Sequence, residues 1–286
     1  MTVTFLSSAH RAASDGAVLQ YRERPAHGSR AGTAVLLPSL FFGARMFDEV
    51  VGLLPAEWRV ICPDHRGQCA SGSGSLAPTM AQLASDTAEI IESLGDGSVH
   101  LVGSSMGGYV ALELAHRRPE LLRSCVLSCC TSEAEQQPER FAALEAALRE
   151  GGAARLVDGL VATMFGAQFA ESGGAALAAW RAHFAALDDR IPDAVHEVFA
   201  RPGYVDTLPQ LRMPLLLVSG ALDNAKKPAD MQFIADRVPG SRHVVMAASG
   251  HTPPIEEATQ FADALAAFWR TTAFPSSDKA STPHDH

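Results

Sequence analysis

The sequence contains no block of Lys or Arg, and acidic residues outnumber basic ones by 32 to 23, giving a net charge of −9. Nucleic-acid binding depends on clustered cations that neutralise phosphates, so this balance disfavours it. Long apolar runs are also missing. Ala34 to Leu37 and Leu215 to Val218 are typical of the longest, far below the roughly 20 residues of a membrane span. The opening residues, MTVTFLSSAH, have neither a basic stretch nor a long apolar one, so no secretory signal is read there. Five cysteines (Cys62, Cys69, Cys125, Cys129, Cys130) form an odd set without metal-ligand or disulfide-framework spacing. They read as reduced thiols of a cytoplasmic protein. No G-x-x-x-x-G-K occurs, no G-x-G-x-x-G follows a strand, and His196-Glu197 lacks a second histidine four residues on. Nucleotide-phosphate loops and zincin sites are therefore not expected, and no metal site is.

What is present is a globular composition, 47% hydrophobic and 19% charged over 286 residues, enough for a large buried core. Strand-like and helix-like segments alternate, the pattern of a mostly parallel sheet covered on both faces. The strand candidates are Ala17 to Arg24, Thr33 to Pro38, Arg59 to Pro63, Val99 to Gly103, Leu121 to Cys130, Leu215 to Val218 and His243 to Met246. Apolar residues at helical spacing mark Met80 to Leu94, and helices are also expected over Ser105–His116, Ala229 to Arg237 and Ile255 to Arg270. Between Thr131 and Leu211 the chain turns Ala-, Glu- and Arg-rich, with breaks at Gly151–Gly152, Gly173–Gly174 and Pro192, and reads as inserted helices. The last residues are polar and aperiodic and read as a disordered tail.

Gly103-Ser104-Ser105-Met106-Gly107 fits G-x-S-x-G between a strand and a helix. A serine in such a turn projects its hydroxyl clear of the backbone, and the small residues two places away on each side allow the sharp bend. The helix N-terminus adds unpaired N–H groups where negative charge develops. A serine hydroxyl needs a base, and the base needs an orienting acid. His251, in a loop between the last strand and the last helix, and Asp223, just after another strand, supply candidates in the order Ser, Asp, His. Glu133, just past the strand ending at Cys130, is a rival acid.

These segments, with Leu36-Leu37-Pro38-Ser39-Leu40 and Asp64-His65-Arg66-Gly67-Gln68-Cys69-Ala70-Ser71, resemble the α/β-hydrolase fold superfamily over about residues 15 to 270. Within it the chain is most similar to the 3-oxoadipate enol-lactonase-like branch. That branch has Asn-Ser-Leu-Gly where this chain has Pro38-Ser39-Leu40-Phe41, and Asp-x-Arg-Gly-His-Gly where this one has Asp64 to Cys69. The resemblance implies an α/β fold with a mostly parallel eight-stranded sheet flanked by helices and a helical lid inserted after the sixth strand. Residues 1–130 and 212–271 would form the core, 131–211 the lid and 272–286 the tail. It also implies an oxyanion hole from the backbone N–H groups of Leu40 and Met106, although Pro38 replaces a polar residue that normally helps hold the Leu40 loop. Asp64 to Ser71 is expected to brace the sheet edge, with His65 structural.

The branch's lid carries an Arg and an Arg-Trp-Phe triplet that suit a carboxylated substrate. In a gapless register Leu144 stands at the first position and Thr163-Met164-Phe165 at the triplet, which points away from that substrate. Phe41, Met164 and Phe165, with Phe42, Phe169 and Trp180, are expected to line an apolar pocket. The implied function is a cofactor-independent serine hydrolase of a small ester or lactone, acting through an acyl-enzyme, with no nucleic-acid or membrane partner; a homo-oligomer stays open. C–C bond hydrolases, perhydrolases and haloperoxidases share the fold, and a non-catalytic lidded receptor for a small molecule is the alternative outside enzymes.

Only Ser105 has glycines two places away on both sides. Ser105→Ala is expected to cut turnover by several orders of magnitude and to leave the circular dichroism spectrum unchanged. Ser104→Ala should be far milder. Mapping a fluorophosphonate adduct by mass spectrometry checks the choice directly.

Overall fold

The computed structural model describes residues 7–272. Eight strands form one sheet: β1 (Ser7–Ala12), β2 (Val18–Arg24), β3 (Gly32–Leu37), β4 (Trp58–Pro63), β5 (Val99–Ser104), β6 (Leu122–Ser128), β7 (Leu215–Gly220) and β8 (Arg242–Met246). Their spatial order is β1-β2-β4-β3-β5-β6-β7-β8. The β1/β2 and β2/β4 pairs are antiparallel and the others are parallel. β5, β6 and β7 are apolar runs buried along almost their whole length, as expected of strands covered on both faces. β1 escaped the sequence reading because Ser7–Ala12 is short, mixed in polarity and largely exposed. β6 stops two residues earlier than its apolar pattern, because Cys129 takes φ 49 and leaves the strand.

The helices are α1 (Asp48–Leu53), α2 (Met80–Leu94), α3 (Met106–Arg117), α4 (Pro138–Gly151), α5 (Val157–Met164), α6 (Ala167–Ser172), α7 (Gly174–Ala185), α8 (Ile191–Ala200), α9 (Pro228–Ala235), α10 (Pro253–Glu256) and α11 (Ala258–Thr271). Side chains alternate across a strand, so neighbouring β5 residues meet different helices. His100 faces Trp269 of α11, whereas a Cβ at Gly103 would collide with Gly107 and Gly108 of α3. The expected last helix is divided at Glu257, whose backbone is non-helical and whose carboxylate turns back to Ala248 and Ser249. Pro192 does not break a helix but lies in the first turn of α8, where its missing N–H costs no hydrogen bond.

Residues 131–211, carrying α4–α8, leave the sheet between β6 and β7. The segment read as a tail, 272–286, lies outside the described residues except for Thr272. Among the described residues no helix is long and apolar enough to cross a membrane. The Asp64–Ser71 segment braces the sheet: the buried Arg66 guanidinium bridges Asp86 and Asp15, and Asp64 accepts from the amides of Ala44 and Ala70. Chain order reverses at β3 and β5, since β4 lies on one side of β3 and β5 on the other. In parallel sheets the crevice at the carboxyl ends of such strands is where ligands bind.

His100 is wedged between Trp58 and Trp269 and bonded to the Ser124 hydroxyl at 2.8 Å. Burial, helped by Arg123, pushes its pKa from 6.5 down to about 3. The unfolded imidazole takes up a proton near pH 6.5 and the folded one refuses it, so stability should fall as pH drops through that interval, by up to ~1.4 kcal/mol per pH unit for each such group. His65, buried and pushed down to about 4, acts in the same direction. In His100→Phe the urea midpoint should fall less steeply between pH 6 and pH 4 than in the wild type.

Candidate active site

β5 runs into α3 through Ser105, whose backbone sits at φ 51, ψ −110. This conformation costs a non-glycine residue about 1–3 kcal/mol. The surroundings enforce it: the Ser105 amide donates to Ser128 O at 2.8 Å, and two glycines allow the chain to pass. A Cβ at Gly103 would lie 2.2 Å from Gly107 O, and one at Gly107 would lie 2.3 Å from Leu37 O. The glycines at the two ends of the motif are thus required by close backbone approach, and the Ser105 hydroxyl is set out over the ends of the strands.

His251 follows β8 and Asp223 follows β7. The structure brings both to Ser105. His251 Nδ1 lies 2.8 Å from Asp223 Oδ2, and Nε2 lies 2.8 Å from Ser105 Oγ. A carboxylate only accepts, so Nδ1–H donates to Asp223, leaving Nε2 to accept the Ser105 hydroxyl proton. Burial opposes ionisation of Asp223, but the facing His251 and the amides of Lys226 and Ala225, at 2.9 and 2.7 Å, outweigh it and hold the carboxyl below its usual range. This three-residue chain can remove the serine proton as the hydroxyl attacks an electrophilic carbon. Glu133 does not reach it; its backbone carbonyl serves Arg201 and its amide bonds Thr131.

The histidine loop is clamped by residues that no motif announced. Glu256 Oε2 accepts from the amides of Gly250 and Gly166 at 2.9 and 2.7 Å, joining the loop to the start of α6. Glu257 accepts from Ala248 N and Ser249 Oγ. A helical acid near a loop looks like any solvated surface acid in sequence, so no signal marked either residue. Cys129, at the end of the segment whose pattern predicts a strand, has its sulfur within 4.8 Å of ligand atoms of both Asp223 and His251. Burial, with the Asp223 charge, pushes this thiol well above its ordinary range. Both imidazole nitrogens of His251 are already engaged, with Asp223 and with Ser105.

A cavity of about 260 Å³ opens over Ser105 and His251. Leu40 and Phe41 of the loop after β3, Tyr109 of α3, and Phe141, Leu144, Leu160, Thr163, Met164 and Phe199 of the inserted helices form much of its wall. Of the expected pocket residues, Phe41 and Met164 line it. Phe165 does not: it ends α5 in extended backbone and packs into an aromatic cluster, 6.0, 4.8 and 6.1 Å from the rings of Phe42, Phe169 and Phe184. Trp180 also packs on Phe42, not on the cavity. Arg149, Arg155, Arg181, Arg190 and Arg201 stay off the wall. Arg201 stacks 3.8 Å over the Tyr109 ring and donates to backbone carbonyls, while Arg149, Arg181 and Arg190 pair with acids. Lys226 is the one cationic residue on the wall among those described, and its ammonium sits 3.9 Å from Glu135. A more polar cleft of about 480 Å³, between the Arg66–Pro78 loop and helices α4 and α8, shares no wall with Ser105 or His251.

A family model for the alpha/beta hydrolase fold matches residues 35–258. A Pseudomonas savastanoi pv. phaseolicola protein named as a carbamate hydrolase is 26% identical over 238 residues, covering 82% of this chain and 92% of that protein. The pimeloyl-acyl-carrier-protein methyl ester esterase of Aeromonas hydrophila is 27% identical, with 82% and 94% covered. Among solved structures, the enol-lactonase from Burkholderia xenovorans superimposes with a TM-score of 0.85 at 27% identity, over 92% of this chain and 100% of that one.

The geometry ranks the two acids. Asp223→Asn leaves a carboxamide that favours the wrong imidazole tautomer, so kcat on p-nitrophenyl butyrate should fall about a thousandfold or more. Glu133→Gln should change it less than twofold.

Proposed function

Because the chain belongs to the alpha/beta hydrolase fold family, we propose that it is a serine hydrolase of small esters or lactones in which Ser105, His251 and Asp223 form the catalytic triad. The observation that carries this reading is the continuous hydrogen-bonded chain Ser105–His251–Asp223, with both links at 2.8 Å, at the floor of an apolar cavity. The hydrolases among the relatives support the reaction class, and the esterase and enol-lactonase support an acyl–oxygen bond as its target.

In this reading the Ser105 oxygen attacks the ester carbonyl while His251 Nε2 takes its proton. The imidazolium is stabilised by Asp223 and returns the proton to the departing alcohol, leaving an acyl-serine. Water enters, gives a proton to Nε2 and releases the acid, restoring Ser105. The oxyanion of each tetrahedral intermediate is held by two amides: that of Met106, first residue of α3 and unpaired within the helix, and that of Leu40, in the loop beside the cavity. Preorganised donors of this kind contribute about 3–4 kcal/mol each. Helices α4–α8 act as the lid.

The wall supports a neutral, moderately apolar substrate. A carboxylate buried there needs a fixed cation; Leu144 presents none, and the Lys226 charge is offset by Glu135. Fluorophosphonate labelling at Ser105, followed by a panel of esters and lactones, tests the reaction class. Wild-type kcat/KM should favour a neutral lactone over its carboxylated analogue, and Leu144→Arg should shift that ratio toward the acid by no more than about a hundredfold, the worth of one well-placed ion pair. A wild-type preference for the acid, lost on removing a lid arginine, would instead support an enol-lactonase-type substrate.

A further inference from the structure

The loop bearing the Leu40 amide has little of its own to hold it. Pro38 contributes no N–H, the Ser39 amide reaches only the weak acceptor Met46 Sδ at 3.4 Å, and the buried Ser39 hydroxyl has no hydrogen-bond partner among the described residues. Residues 39–42 form a turn in which Phe42 N–H donates to Ser39 O at 3.3 Å, with Phe41 in its third position at φ 80. That turn geometry calls for glycine at this position, and a bulky aromatic there is strained. Something outside the turn must therefore keep it in shape.

Helix α7 of the inserted segment supplies the contact. His183 Nε2 lies 2.7 Å from the Phe41 carbonyl oxygen, and since a carbonyl only accepts, Nε2 carries the proton and donates. Trp180 and Phe184, one turn apart from each other on the same helix, pack their rings 5.1 and 5.2 Å from Phe42. At the other end of the loop His65 Nε2 donates to Pro38 O at 3.1 Å from the core side. The connection to Leu40 then runs through two peptide planes. The Phe41–Phe42 peptide accepts from His183 through its C=O, and its N–H donates to Ser39 O. Ser39 O belongs to the same peptide plane as the Leu40 N–H and points the opposite way, so orienting one orients the other. Bonds in such a chain also polarise one another.

We propose that His183 is a positioning residue that, by donating to the Phe41 carbonyl, holds the strained 39–42 turn in the form that aims the Leu40 amide at the developing oxyanion. Helix α7 thereby completes the oxyanion site although none of its residues lines the cavity. This role rests on the serine-hydrolase reading above.

The test compares the wild type, His183→Ala, His183→Gln, Phe41→Gly and the Phe41→Gly/His183→Ala double variant, with p-nitrophenyl butyrate as substrate and phenylboronic acid as a tetrahedral adduct former. His183→Ala should lower kcat about ten- to a hundredfold with KM within threefold, and weaken phenylboronic acid by a similar factor, since the hole acts on the tetrahedral state. His183→Gln, which keeps an N–H donor, should recover most of both. With glycine at 41 the turn no longer needs the clamp, so His183→Ala should cost much less in the double variant. A folded His183→Ala enzyme with unchanged kcat and boronate affinity overturns the proposal, as does a loss in KM alone or equal losses in the Ala and Gln variants. Ser105→Ala, measured in parallel, separates the claims: turnover retained there overturns the hydrolase reading itself, whereas turnover lost there beside an unaffected His183→Ala overturns only the role of His183.

Discussion

One strained backbone position organises this molecule: Ser105, a non-glycine residue at positive φ between β5 and α3. The hydroxyl stands clear of the strand only if the chain turns within a single residue, and that turn forces backbone against backbone on either side. Gly103 against Gly107, and Gly107 against Leu37, are contacts that no side chain fits. They press α3 onto β3 and β5. The conformational cost is met by the burial of almost every residue of β5 and α3, so the strain is carried by the best-packed part of the fold.

A fixed hydroxyl would be inert without partners, and the parallel sheet brings them by a different principle. Loops after β3, β5, β7 and β8 all open at the same edge, so segments far apart in the chain converge without touching in sequence. The Asp223 and His251 loops carry their own braces. The Asp223 carboxylate is pinned by the next amides along its own chain, and the histidine loop is pinned by Glu256 and Glu257. The loop after β3 is the exception, held from outside by imidazoles of the core and of α7.

The inserted helices therefore do more than roof the cavity. They meet the core through Gly166 on Glu256, through Trp180, His183 and Phe184 on the Phe41–Phe42 turn, and through Arg190 on the carbonyls of Cys69 and Ser71. Arg149, Arg181, Arg190 and Arg201 of this segment are spent on such structural bonds or on neighbouring acids, and the surface facing Ser105 is left mainly apolar.

Residue type and spacing alone determined the layered α/β architecture, seven of the eight strands, the serine at the sharp turn, and a histidine and an aspartate each just past a strand. These features are local: alternation, apolar runs and glycine placement act within a few residues, so they can be read along the chain. The tertiary structure alone decided the rest. Asp223 and Glu133 both follow strands and differ only in which one the fold turns toward His251. Phe165 and Met164 are neighbours in sequence, but the end of α5 sends one into an aromatic cluster and the other into the cavity wall. The clamps at Glu256 and His183 join residues some 90 and 140 positions apart. Such contacts have no periodicity to betray them, because they depend on how separate elements are stacked and not on the pattern within any one of them.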